Sequence, residues 1–253
     1  MVDLHSHVIW GIDDGSKSRE MTLNMLKLAI RGGTNKIVST PHFLPGHYEN
    51  SMEDIKREIE KVKELIKEEN LDIEVFPGQE VYYTDNILEN YNNNLIGTIN
   101  NSRYMLIEFN MRDFRLEEII ENLYELQLKG ITPVIAHPER YIKFLKNPSL
   151  INEFSKEGYF FQLNSGSLTG NFGKEVKKLS EKYIDSKIYS VFGSDAHRDE
   201  NRNPNMKEFI EGFKDKAYLE KLKNNNEFII YNKKIDVNDN LFKEKKGIFK
   251  FFK

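Results

Sequence analysis

The 253-residue chain has no cysteine, which excludes disulfides, zinc–thiolate sites and any thiolate nucleophile. No stretch approaches the roughly 20 apolar residues that cross a bilayer. No basic segment leads into an apolar run at the N-terminus, so no signal peptide is expected. A cytoplasmic location is the expectation, and the missing thiols suit a reducing compartment. Excess charge of one sign is also absent: 37 Lys and Arg against 40 Asp and Glu leave a formal net charge of −3. That balance gives no global attraction to nucleic acid or an anionic membrane. A Gly-x-Gly-x-x-Gly loop after the first strand is missing, which removes the usual support for a dinucleotide fold.

What is present is a rhythm. Short apolar runs, rich in Val, Ile, Phe and Tyr, read as buried parallel strands at Val2–Leu4, Lys36–Thr40, Ile73–Pro77, Tyr104–Phe109, Thr132–Ala136, Tyr159–Leu163 and Ile188–Phe192. Between them lie amphipathic segments, including Ser18–Arg31 closed by Gly32-Gly33, Ser51–Glu69 with one apolar stripe, and Leu116–Lys129 closed by Gly130. Seven β-then-α units predict an α/β parallel barrel, distorted or incompletely closed, with an open doubly wound sheet as runner-up. No internal linker or repeat stands out. One domain over residues 1–242 is expected, followed by a tail, 243–253, with five lysines and Ile248, Phe249, Phe251 and Phe252.

The histidines follow that rhythm. His5 and His7 leave the first strand, and alternation along extended chain points both to one side. His42 follows the second strand, Glu80 the third, Glu108 closes the fourth, and His137 follows the fifth. Asp195 and His197 follow the seventh and repeat the i, i+2 spacing of the first pair. Asp13-Asp14-Gly15 lies close after the first pair; Asp14 is taken as a ligand, with Asp13 as the fallback. A single His-x-His or Asp-Asp-Gly is commonplace. Six strand ends carrying imidazole or carboxylate on one barrel mouth are a metal site in the making. The nine groups His5, His7, Asp14, His42, Glu80, Glu108, His137, Asp195 and His197 exceed what one ion can use. Two or three divalent ions with a bridging carboxylate are expected. Oxygen and nitrogen ligands permit manganese, iron or zinc. His47, in a Pro-Gly-His-Tyr loop, is read as a surface or substrate-loop residue.

Two arginines point this set at phosphate. Arg140 lies three residues beyond His137 and Arg202 five beyond His197, and guanidinium clamps anionic oxygens in bidentate fashion. Arg198 competes with Arg202 within the same loop.

The strings Asp3-Leu4-His5-Ser6-His7, Asp13-Asp14-Gly15, Ser39-Thr40-Pro41-His42, Gly78-Gln79-Glu80, His137-Pro138-Glu139-Arg140 and Ser194-Asp195-Ala196-His197 resemble those of the PHP superfamily of metal-dependent phosphoesterases. Within it, the chain is most similar to the bacterial manganese-dependent protein-tyrosine phosphatases of capsular and exopolysaccharide synthesis. The resemblance spans all but the tail. It implies a seven-stranded distorted barrel and a three-metal centre. His5, His7, Glu80 and Asp195 would hold one ion; Glu80 would bridge to a second, completed by Glu108 and His137; Asp14, His42 and His197 would hold the third. Arg140 and Arg202 match phosphate-contacting arginines.

The expected reaction is direct hydrolysis of phosphotyrosine: a metal-bridging hydroxide attacks phosphorus, and His42 or a metal-bound water assists the leaving group. The partner implied is a phosphotyrosine-containing protein, the cytoplasmic tail of a tyrosine autokinase, with manganese as the expected metal. The alternative is a small-molecule phosphatase of the histidinol-phosphatase type. A docking module without catalysis is disfavoured by the intact ligand set, and a metal-dependent amidohydrolase or nuclease fits the strand-two histidine and the arginines less well. The tail reads as a solvated end or as a contact with an anionic membrane surface or a partner.

Overall fold

The computed structural model describes residues 1–237 and 240–244. In chain order its strands are β1 (Val2–Ser6), β2 (Lys36–Ser39), β3 (His42–Leu44), β4 (Tyr48–Glu49), β5 (Glu74–Pro77), β6 (Glu80–Tyr82), β7 (Tyr104–Glu108), β8 (Thr132–Ala136), β9 (Phe160–Asn164) and β10 (Val191–Gly193). The helices are α1 (Arg19–Arg31), α2 (Met52–Glu68), α3 (Ile87–Asn92), α4 (Leu116–Leu128), α5 (Ile142–Lys146), α6 (Ile151–Lys156), α7 (Ser165–Thr169), α8 (Lys174–Asp185), α9 (Lys207–Gly212) and α10 (Lys216–Ile230). Ser18 caps α1, and Ser51 with Asp54 forms a reciprocal capping box on α2.

Three strands begin later than their apolar runs, β5 at Glu74, β9 at Phe160 and β10 at Val191. Tyr159 donates its N–H to the Phe154 carbonyl at 3.2 Å and Ile188 donates to Tyr183 at 3.0 Å. Both residues are therefore used to close α6 and α8, and β9 and β10 start beyond them.

The second and third strands do not end where their apolar runs end. Each is broken in two, at Thr40-Pro41 and at Gly78-Gln79, and resumes. The first halves pair in parallel as β2 with β5, the second halves as β3 with β6. Pro41 has no N–H to give the ladder, but its carbonyl still accepts from Glu80 at 3.1 Å, and the Ser39 carbonyl accepts from Gly78 at 2.8 Å. His42 and Glu80 thus open new half-strands, directly opposite each other in register, rather than following strands as expected.

Sheet order is β1-β2-β5 and β10-β9-β8-β7-β6-β3-β4; all pairs are parallel except β3 with β4. The two sheets share the broken strands, so seven strand positions follow one another. The first and last meet through a parallel bridge between Ser6 and Ala196, with Asp195 N–H donating to the His5 carbonyl at 2.7 Å and His7 N–H to the Ala196 carbonyl at 2.8 Å. Alternation sorts the faces: Met105, Ile107, Ile135, Phe161, Leu163 and Phe192 join the large cluster under α4 to α9. Tyr104, Leu106, Val134, Ala136, Phe160 and Val191 form a second core with Val2, Leu4 and α10. Glu108, Gln162 and Asn164 share the parity of this second set, and so reach the site. Among the described residues no helix is long and apolar enough to cross a membrane. The tail's aromatic and most of its basic residues, 245–253, lie outside the described residues.

Candidate metal centre

The nine expected ligand residues converge at the C-terminal mouth of the strands. Three sets bring one ligand atom per residue within 4.8 Å of one another: His5, His7, Glu80 and Asp195; His7, Asp14, His42 and His197; and His42, Glu80 and Glu108. His137 stands beside the last, its Nε2 3.0 Å from Glu80 Oε1 and 3.6 Å from Glu108 Oε1.

Neighbouring groups fix which nitrogen each ring presents. Gln162 Oε1 already accepts from His137 N–H at 3.2 Å, so it also accepts from His5 Nδ1, 3.0 Å away. Asp13 Oδ2 takes His7 Nδ1–H at 2.7 Å, and the Asp195 carbonyl takes His197 Nδ1–H at 3.0 Å. Each of the three rings is left with Nε2 facing the centre, the arrangement that metal-binding imidazoles need.

Distances then test the fit. His5 Nε2 and His7 Nε2 are 3.3 Å apart; Glu80 Oε2 lies 3.1 and 3.2 Å from them, and Asp195 Oδ1 lies 3.6 Å from each. A cation about 2.1 Å from four ligands separates them by roughly 3.4 Å, so these edges are those of a coordination polyhedron. Asp14 Oδ1, His42 Nδ1 and Glu80 Oε2 are buried without a hydrogen-bond partner, although burying such atoms unpaired is costly. The residues fit a polynuclear metal group.

The protonation pattern agrees. Burial works against the Glu80 carboxylate, yet His5, His42 and His137 hold it well below its usual range. Burial pushes Glu108 well above that range, and the Glu80 charge adds to the effect. Burial disfavours the His7 cation, but Asp13 raises it well above an ordinary histidine. Burial and Arg140 push His137 down to about 4. The two neighbouring carboxyls are pushed in opposite directions because a second buried negative charge beside the first is disfavoured.

Asp13 and Asp14 divide the labour. Asp13 is buried and supports: besides His7 it accepts from His42 N–H at 3.0 Å and Gly15 N–H at 2.8 Å. Asp14 faces the centre, Oδ1 being 3.2 Å from His197 Nε2 and 3.5 Å from His42 Nε2. Gly15 allows the turn, since a Cβ there would lie 2.3 Å from His7 Cβ. His137, Asp195 and Arg202 all adopt positive φ, at 32°, 51° and 53°, a strain of the kind kept at functional sites.

Both arginines converge on one carboxylate. Arg140 Nη1 donates to Asp195 Oδ2 at 2.5 Å and Arg202 Nη2 to Oδ1 at 2.8 Å. Burial alone would raise Asp195, but His5, Arg140 and Arg202 hold it well below the carboxylate range. Arg198 is engaged elsewhere, its Nη1 donating to the carbonyls of Asp14, Gly15 and His197. His47 is exposed on the β3–β4 loop, outside the three ligand sets.

Sequence reading missed the supports Gln162 and Asn164, the latter donating Nδ2–H to Asp195 Oδ2 at 2.8 Å. The signal was there: both are polar residues with inward parity in a strand otherwise apolar. It also missed Asp3, whose carboxylate accepts from the Ser194 N–H and hydroxyl at 2.8 and 2.6 Å.

A parallel-stranded α/β domain with these groups at its strand ends defines a PHP-type, metal-dependent phosphoesterase class. The family model described as "Capsular polysaccharide synthesis, CpsB/CapC" matches residues 1–232, and the chain belongs to that family. It is 37% identical to CapC of Staphylococcus aureus over 240 residues, 93% of either chain. It is 36% identical to the tyrosine-protein phosphatase CpsB of Streptococcus pneumoniae over 213 residues, 82% of this chain and 87% of the relative. A crystal structure from work on YwqE of Bacillus subtilis and CpsB of Streptococcus pneumoniae, described as metal-dependent tyrosine phosphatases, superposes with a TM-score of 0.91 at 29% identity. It covers 97% of this chain and all of its own.

Proposed function

We propose that the chain is a metal-dependent protein-tyrosine phosphatase acting in the cytoplasm on the phosphorylated tail of a tyrosine autokinase that regulates capsular or exopolysaccharide synthesis. The observation that carries this reading is the convergence of two guanidinium groups on Asp195 beside three clusters of histidine and carboxylate. The family and the names of the relatives support it.

His5, His7, Glu80 and Asp195 would hold one ion, Glu80 with Glu108 and His137 would serve a second, and Asp14, His42 and His197 a third. Manganese is the expected metal, and the ligands also suit iron or zinc. When bound, such ions lower the pKa of water towards neutrality and neutralise charge on phosphoryl oxygens. The chain supplies position. Arg140 and Arg202 turn their remaining N–H groups to the equatorial oxygens of the phosphoryl group and hold the ester for in-line displacement. His42, stacked beside Tyr48 with ring centroids 6.3 Å apart, turns both ring nitrogens to carboxylates of the ligand clusters, so solvent rather than this imidazole protonates the leaving oxygen. A tyrosinate leaving group, with a pKa near 10, needs only modest help. Without cysteine the phosphocysteine route is closed. Residues 1–242 form the catalytic domain, and 243–253 are a basic aromatic tail, read as a solvated end or as a contact with an anionic membrane surface or a partner.

The test is hydrolysis by purified protein, with manganese added back after chelation, of a phosphotyrosyl peptide from a kinase tail and of histidinol phosphate. A higher kcat/KM on the peptide is expected. Preference for histidinol phosphate overturns the substrate assignment.

A further inference from the structure

Between α7 and α8 the chain makes a tight loop, Gly170-Asn171-Phe172-Gly173, whose two glycines have φ of 98° and 96°. The Phe172 ring is half-buried and covers both arginines of the site, its centroid 4.4 Å from the Arg140 guanidinium carbon and 5.7 Å from that of Arg202. Two cations side by side repel each other. Asp195 supplies a negative charge between them, the carboxylates of Glu108 and Glu80 also favour the Arg140 cation, and the negative face of the aromatic ring meets both guanidiniums.

The loop hangs from the same carboxylate. Asn164 donates Nδ2–H to Asp195 Oδ2, and its Oδ1 accepts from Gly166 N–H at 2.9 Å to start α7. Gly166 then lies under the ring: a Cβ there would be 2.9 Å from Phe172 Cε2. Its carbonyl accepts from Gly170 and Asn171 N–H at 3.1 and 2.9 Å, which shapes the loop. Asp195, Asn164, Phe172 and the two arginines therefore form one connected unit.

We infer that Phe172 is a positioning residue for phosphate binding: its ring face holds Arg140 and Arg202 together in the orientation that receives the phosphoryl group. The inference rests on the proposed role of these arginines as the phosphate clamp. A leucine would fill the volume but offer no π face, so the guanidiniums would lose alignment while the histidine ligands, whose ring contacts do not include Phe172, stay in place. A tyrosine keeps the face.

The test uses full-length, manganese-loaded Phe172→Leu, Phe172→Tyr and Gly166→Ala proteins, with inorganic phosphate as a competitive inhibitor of aryl phosphate hydrolysis. Phe172→Leu should raise the inhibition constant about tenfold, the size of a partly desolvated cation–π contact, with unchanged metal content. Gly166→Ala, which displaces the ring without removing it, should act in the same direction. Phe172→Tyr should stay within about twofold of the parent. A parental constant in Phe172→Leu, or equal damage in Phe172→Tyr, overturns the inference. Arg140→Ala and Arg202→Ala are measured alongside. If neither weakens phosphate inhibition, the clamp reading itself fails; if both do and Phe172→Leu does not, only the role of Phe172 is lost.

Discussion

Glu80→Gln preserves the shape of the side chain at the centre of the cluster and removes its charge. Four imidazoles meet this carboxylate: His5 Nε2, His7 Nε2 and His42 Nδ1 at 3.1, 3.2 and 3.2 Å from Oε2, and His137 Nε2 at 3.0 Å from Oε1. In the amide, one oxygen becomes an NH₂ donor aimed at lone pairs that a cation must use. The variant should therefore fold, because the backbone pairing of Glu80 with Pro41 and Leu106 is untouched, and should fail to load metal. The magnitude follows from linkage. At free metal about 100-fold above Kd, one ion stabilises the native state by about 2.7 kcal/mol. In a chain of this length each kcal/mol moves Tm by about 2–4 °C. Saturating manganese should raise the parental Tm by about 5–11 °C per ion, and Glu80→Gln should forfeit that rise for every ion the carboxylate touches. The assay is thermal melting of chelated and metal-saturated protein, with metal counted by elemental analysis. A variant that keeps the parental stoichiometry and the full thermal increment refutes the bridging role.

Arg140→Ala removes one of two cations from Asp195 and one clamp on phosphate. A loss of about 10²–10³ in kcat/KM is expected from the usual worth of a preorganised charge-stabilising donor, with metal content unchanged; activity within threefold of the parent would remove the clamp assignment. Metal binding should release protons, since His7 and Glu108 must be deprotonated to ligate and both are raised well above their ordinary values in the metal-free centre. Calorimetric titration with manganese in two buffers of different ionisation enthalpy at pH 7 should show a release of about one proton or more; identical heats in both would contradict it. Asp3 offers a stability test in the metal-free protein. Burial raises its carboxyl from 3.8 to about 6, against the hydrogen bonds from Ser194. A raised folded value means stability that is complete below pH 3.8 and declines as pH rises through 6, by roughly 3 kcal/mol at neutrality. Asp3→Asn can keep accepting from the backbone N–H groups of Ser194 and His5 through its Oδ1 and donate to the Ser194 hydroxyl. It should gain on the parent in denaturant melts as pH rises from 4 to 7, and a difference independent of pH would show that the buried charge carries no such cost.

The barrel was legible because its causes are local. A strand buried on both faces must be apolar nearly throughout, and a helix beside it must carry one apolar stripe; both patterns survive in a linear reading. The convergence of the candidate ligands was legible for a related reason: imidazole and carboxylate at the ends of apolar runs have few structural uses. What the reading could not resolve depended on contacts between distant segments. Pro41 and Gly78 break adjacent strands at matching heights, and only the register of β3 on β6 makes His42 and Glu80 face each other. Tyr159 and Ile188 look like strand residues by composition, yet each N–H closes a preceding helix. The competition between Arg198 and Arg202 lay beyond spacing altogether, because it turns on which guanidinium finds carbonyls and which finds Asp195.

The same geometry joins folding to site assembly. Asp195 N–H to His5 and His7 N–H to Ala196 are the hydrogen bonds that bring the last strand to the first, and they connect segments carrying four of the proposed ligands. Asp3, deeper on β1, grips Ser194 on the opposite segment. Closing the strand circuit therefore sets the separation of His5, His7, Asp195 and His197, and no loop has to find its place afterwards. This arrangement accounts for the tolerance of so much buried charge. Each imidazole and carboxylate costs free energy to desolvate, but the costs are localised at a seam already fixed by backbone pairing. Cations entering there would meet ligands whose entropy of ordering has been spent in folding.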